Sequence, residues 1–328
     1  MKTRMIALAA FAVVAASSAF AANSSMLGLV PPDAKVVAGV QVTTAKASPF
    51  GQFVLGKLHQ EGQVDFQKLM DLTGFDPRRD VSELLLAGTS ATGASKQGIV
   101  VVRGVFDPAR VESAAKAHGC TASTVMGVNM FTAGEGGVAA LALLDPTMAI
   151  AGDVDSVKTA IGRYRSKAVP AADLQKKVDS ASVDASGAAN DFWFVTLAPL
   201  SDLAPQPAPG APGNPQMNAF QAVQQASGGA RFTAQNVSLG AQLVMRSDKD
   251  AQSMADVIRF LAGMLQQSHH KDPTANAAAS LLSTLSVNAN ANVTQVALVL
   301  PEAQLEQLLN AFQQHEHHHA ENHPPHAN

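Results

Sequence analysis

One cysteine, one tryptophan and one tyrosine in 328 residues are unusually few, and each scarcity excludes something. A lone thiol, Cys120, cannot close an intramolecular disulfide, so the fold must be held by packing rather than by cross-links. Aromatic residues make up 5%, which leaves the core to Val, Leu, Ala and Met. Charged residues make up 15% against an ordinary share of about 25%, and 23 Lys plus Arg nearly balance 26 Asp plus Glu. Without a basic block, the sequence carries no electrostatic footprint for nucleic acid or for an anionic membrane. Long apolar runs are lacking as well. Met5 to Ala16 is shorter than the roughly 20 residues that span a bilayer, so no transmembrane segment is expected in the mature chain.

That short run does fit a secretory signal peptide. Lys2 and Arg4 precede it, and Ala19-Phe20-Ala21 follows as a small-x-small cleavage site, so residues 1–21 are expected to be removed. The basic pair is split by Thr3 and no cysteine stands near the cleavage site, which argues against a twin-arginine substrate or a lipoprotein. The expected location is the periplasm or the extracellular medium. What remains is long enough for two domains of about 150 residues or for one larger one.

Strands and helices are well punctuated along 22–167, read as an N-terminal half. Val36 to Val42 is an apolar strand, and Ser48-Pro49 supplies an N-cap and a first-turn proline for a helix to about His59. A helix from Asp65 to Thr73 stops at Gly74. Strands follow at Val81 to Ala87 and Ile99 to Phe106, then a helix capped by Asp107 and running to about His118. Further strands are expected near Val125 to Thr132, Val138 to Leu144 and Met148 to Ala151, with Asp153 capping a helix to Tyr164. Residues 168–190 read as a connection. The C-terminal half, 191–314, opens with a strand at Phe192 to Leu197 and a proline-rich exposed loop at 204–216. A helix is expected from Met217 to Ala226. Val237, Leu239, Ala241, Leu243 and Met245 then alternate as a half-buried strand does. A long amphipathic helix to Gln267, a short helix at Ala275 to Leu282, a hairpin of Ser283 to Asn288 with Val293 to Leu300, and a final helix from Pro301 complete the pattern. Grouped strands favour an α+β fold: mainly antiparallel sheets, two or one continued across both halves, with helices packed on one face and a weak structural duplication.

Few segments suggest chemistry. His118 and Cys120 are too poorly placed to pair as a reactive thiolate, and a buried structural thiol is the expected role of Cys120. Gly134 to Ala139 resembles a dinucleotide fingerprint, but an apolar strand follows it where a helix is required, so it reads as a hairpin turn. Gly88 to Gly93 misses a nucleophile elbow by one residue. Phe-Asp-Pro-x-Arg occurs twice, at Phe75 to Arg79 and Phe106 to Arg110. Asp as cap, Pro in the first turn and Phe stapling the turn to the core account for it, while Asp76, Arg78, Arg79 and Asp80 form a candidate polar surface.

The tail 315–328 is rich in histidine: His315, His317, His318, His319, His323 and His326. His315 to His319 matches the H-E-x-x-H zinc-protease pattern, yet Asn322 and Pro325 stand where the extended signature needs glycine and histidine. Two readings stay open for the tail: a ligand set for Zn, Ni or Cu through neutral imidazoles, or a disordered solubilising terminus. His269-His270 could add ligands only if the tail folded back.

The segments Pro32 to Val40, Ala47 to Val54, Thr73 to Asp80, Arg246 to Ala251 and Pro301 to Glu306 resemble those of a group of uncharacterised exported bacterial proteins. The resemblance runs through most of the mature chain, leaves out the histidine tail, and implies an exported two-part α+β protein with no assigned activity. Together these readings lead to a non-enzymatic binding or scaffold protein of the bacterial envelope, with a protein or small ligand as partner. Metal buffering by the tail is the alternative, and a hydrolase with a dispersed site the second alternative.

Overall fold

A computed structural model describes residues 24–56, 74–89, 97–133, 138–203, 220–267 and 281–306. Twelve strands form one continuous antiparallel sheet, in the order β11-β12-β10-β9-β8-β1-β2-β3-β7-β6-β5-β4. The N-terminal strands are β1 (Val36–Val40), β2 (Val81–Gly88), β3 (Gly98–Gly104), β4 (Thr121–Val125), β5 (Val128–Ala133), β6 (Ala139–Asp145) and β7 (Met148–Asp153). β8 (Phe192–Thr196), β9 (Val223–Phe232), β10 (Asn236–Met245), β11 (Ser286–Asn290) and β12 (Val293–Pro301) complete it. β1 is the junction, pairing β2 on one side and β8 on the other, so the first strand of each half lies beside the first strand of the other.

Because side chains alternate across a strand, each face has its own core. One face of the N-terminal strands and of β8, with Val37, Leu85, Val101, Ile150 and Trp193, is covered by α1 (Ser24–Leu27), α6 (Val154–Arg165) and α7 (Ala172–Ala181). α6 starts where Asp153 caps it, accepting from the Ser156 N–H, and it buries Val157, Ala160 and Ile161 completely. Trp193 lies over Gly39 of the neighbouring strand, where an added Cβ would come within 2.3 Å of the indole. On the opposite face of the C-terminal strands, α8 (Asp248–Gln267) packs Ala251 and Met254 against Ala226 and Met245. The rest of that opposite face, over the N-terminal strands, meets α2 (Val42–Ala45), α3 (described over 49–56), α4 (Pro77–Asp80) and α5 (Pro108–Ala117).

The α+β reading holds, with one antiparallel sheet continued across both halves, but helices cover both faces rather than one. Three local expectations change. The expected strand at Val125 to Thr132 is a hairpin, β4 and β5, turning at Met126 and Gly127, whose φ of 48° and 74° suit a tight two-residue turn. The connection at 168–190 contains α7, which buries Leu174, Val178 and Ala181. The expected helix from Met217 to Ala226 gives way from Val223 onward to β9, a strand in which an added Cβ would come within 2.4 Å of the Gly240 carbonyl oxygen at Gly228 and within 2.2 Å of the Asn190 side chain at Gly229. Residues 1–23, the expected helix at 65–73, most of the short helix at 275–282 and the histidine tail lie outside the described residues.

Candidate apolar binding site

Between the sheet and helices α2 to α5 lies a cavity of about 780 Å³. Well-packed interiors hold few voids larger than a water, while small-molecule sites span roughly 300–1,000 Å³. The sheet supplies its floor: Val40 of β1, Leu84 of β2, Val102 of β3, Leu141 and Leu143 of β6, and Phe192 of β8. These positions belong to the face turned away from Trp193, as the alternation of Phe192 and Trp193 along β8 requires.

Local sequence chemistry places the roof. Ser48 caps α3, its hydroxyl accepting from the Gly51 N–H at 2.9 Å while donating to the Ala45 carbonyl at 2.7 Å. Gly51 passes so near Ala45 that a Cβ would sit 1.9 Å from its carbonyl oxygen, which clamps α3 to the end of α2. Phe50 then faces inward, edge-on to Phe232 of β9 at 5.2 Å between centroids, and so ties the roof to the C-terminal strands. The two Phe-Asp-Pro-x-Arg copies form the side wall. Asp76 caps α4 and Asp107 caps α5, each with proline in the first turn, and Phe75 stacks on Phe106 at 5.1 Å. Both rings line the cavity.

Polarity is confined to one place. Among the described lining residues only Lys46 and Arg78 are charged, and none is a carboxylate, imidazole, thiol or hydroxyl. The Lys46 ammonium donates to the Arg78 backbone carbonyl at 3.1 Å, which ties the lysine to that turn. The candidate polar surface is thereby located. Asp76 receives the Arg78 guanidinium through two contacts of 2.9 Å, and Asp80 receives that of Arg79 at 2.7 and 2.8 Å. Those bonds hold the Asp76 and Asp80 carboxyls below the usual carboxylate range, the arginine contact outweighing burial in each. The four residues form one capped, ion-paired turn, and of them Arg78 reaches the cavity.

The remaining candidates fall elsewhere. Cys120 is half-buried after α5 rather than fully buried as expected, and His118 is the exposed C-cap of that helix. An apolar strand, β6, does follow the glycine-rich stretch before Ala139. His269, His270 and the six tail histidines lie outside the described residues, and among the described residues no three His, Cys, Asp or Glu gather as a metal site. No described helix is long and apolar enough to cross a membrane. The cavity itself escaped the sequence reading, although the doubled Phe-Asp-Pro motif pointed to one of its walls.

No protein-family model matches the chain, and neither does any curated protein. Among solved structures, crystal form III of TP0453 matches with a TM-score of 0.52 and 10% identity, over 86% of this chain and 96% of that one. Crystal form I of TP0453 matches with a TM-score of 0.49 at the same identity, over 86% and 95%. At that identity the likeness to form III is one of fold alone.

Proposed function

We propose that this chain is an exported, non-enzymatic binding protein of the bacterial envelope, and that its ligand is an apolar small molecule held between the sheet and helices α2 to α5. The supporting observation is the cavity of about 780 Å³ walled by aliphatic and phenyl side chains, in which Lys46 and Arg78 carry the charge among the described lining residues. Such a wall solvates hydrocarbon. Burying apolar ligand surface there is favourable by about 25 cal/mol per Å².

The test is a titration with a naphthylamine dye that fluoresces only out of water. The expected result is saturable binding at one site per chain, abolished by Val102→Trp, which puts an indole into the cavity floor, and retained in Gln242→Trp, a substitution on the far part of the sheet. Dye uptake that never saturates, or that Val102→Trp leaves unchanged while far-UV circular dichroism shows both variants folded, would sink the reading.

A further inference from the structure

We infer that the ligand is an anionic amphiphile with a long alkyl or acyl tail, the tail lying in the cavity and the anionic head at Lys46. The inference rests on the binding function proposed above and adds the ligand's chemical class. Its first ground is the distribution of charge. An apolar cavity needs no charge at all for a neutral hydrocarbon or sterol-like molecule, yet among its described lining residues are Lys46 and Arg78, joined by the bond from the ammonium to the Arg78 backbone carbonyl. Its second ground is how they are held. Arg78 and Arg79 each meet a carboxylate, Asp76 and Asp80, so that turn is locally neutral, whereas Lys46 meets a carbonyl. A carbonyl orients an ammonium without neutralising it, and the bond uses one of three donors. Among the described residues the adjacent ammonium therefore gives this rim a net positive charge.

Its third ground is placement. Lys46 lies directly after α2, whose Ala45 both lines the cavity and receives the Ser48 hydroxyl that caps α3, so the ammonium is tied to the same corner that holds the roof. Lys46 is half-buried as a lining residue while its ammonium makes an exposed hydrogen bond, the usual behaviour of an amphipathic side chain. An anion bound there would gain charge-assisted hydrogen bonds, and the chain attached to it would have an apolar volume to enter.

Isothermal titration of the full chain with a homologous series separates the two layers of the argument. Saturated fatty acids of rising length are compared with the alcohols of equal length, with monoacyl phosphates and with a diacyl phospholipid, in the wild type, Lys46→Met and Val102→Trp. Each added methylene should tighten binding by about fourfold until the cavity is filled, the ratio that follows from burial of one CH₂. Anionic heads should bind about tenfold to a hundredfold more tightly than the alcohols, and Lys46→Met, which keeps the apolar stem, should erase that preference while leaving the alcohols unchanged. Tighter binding of the monoacyl phosphate than of the fatty acid would assign the head to a lipid phosphate, and the reverse order to a free carboxylate. Equal affinity for acids and alcohols in the wild type would overturn the anionic head yet leave the apolar site standing. No binding of any member, with Val102→Trp indistinguishable from wild type, would overturn the cavity reading itself.

Discussion

Trp193 and Gly39 show how much one residue can decide. The indole is 1% exposed and occupies the space that a side chain at position 39 would take. Gly39→Ala should therefore cost about 1–3 kcal/mol, the range for overpacking a core, and move the emission of the sole tryptophan to the red. A urea titration followed by fluorescence reads both, and an unchanged midpoint would contradict the packing. Asp153 is a second such position. Its carboxylate accepts from the Ser156 N–H at 3.0 Å and from the Gly98 N–H at 2.7 Å, so it caps α6 and pins the start of β3. Burial pushes its pKa up, but these hydrogen bonds prevail and hold it below the ordinary value. A carboxyl depressed in the folded state stabilises above the unfolded value, and that stabilisation is lost as pH falls from about 4 through the folded value. Asp153→Ala should cost about 1–2 kcal/mol at pH 7, and the gap to wild type should narrow in acid, as urea midpoints at the two pH values would show.

At the scale of elements, capping and period were legible where they act within a few residues. Asp107-Pro108, Asp153 and the long helix to Gln267 stand where the sequence places them. Elements whose stability comes from distant neighbours were not legible. β9 reads Val-Gln-Gln-Ala-Ser-Gly-Gly-Ala-Arg-Phe, with little strand propensity, and it exists because β8 and β10 pair with both its edges. α7 has an ordinary amphipathic pattern, hidden in a Lys-, Ala- and Ser-rich stretch and stabilised by burying Leu174 and Val178 beside β8 and β9. α8 is fixed to the sheet by a fully buried Met254 and by the buried Thr294 hydroxyl, which donates to the Ala251 carbonyl at 2.9 Å. Met254→Ala should cost about 2–5 kcal/mol in denaturant, and its spectroscopic loss should concentrate in helix content. A cost within experimental error would mean that α8 does not depend on this contact.

For the whole molecule, the decisive feature is that the sheet has no break between halves. Strand β8, with the tryptophan, lies between β9 and β1, so unfolding of either half exposes that junction. Urea curves from Trp193 fluorescence and from far-UV circular dichroism should therefore coincide; two separated transitions would show the halves to be independent. Binding in the cavity would act on the same cooperative unit. A fatty acid at a hundred times its Kd should add about 2.7 kcal/mol, which is roughly 4 °C in Tm for a chain of this size. Val102→Trp should lose that increment, as a thermal melt with and without the acid would show.

Legible in the sequence were the α+β class, the capped helices, most strand positions and the low share of charged residues. These are matters of local dihedral preference, hydrogen-bond capping and side-chain period, all of which act over a few residues. Tertiary structure alone decided that the two halves share one sheet, that helices lie on both faces, and that Phe75 meets Phe106 and Lys46 meets Arg78. It also decided that Val40, Leu84, Val102, Leu141 and Phe192 line a common cavity. Those outcomes depend on pairing between strands as far apart as β1 and β8, where the energy comes from burial against residues more than a hundred positions away, and no short-range pattern records it.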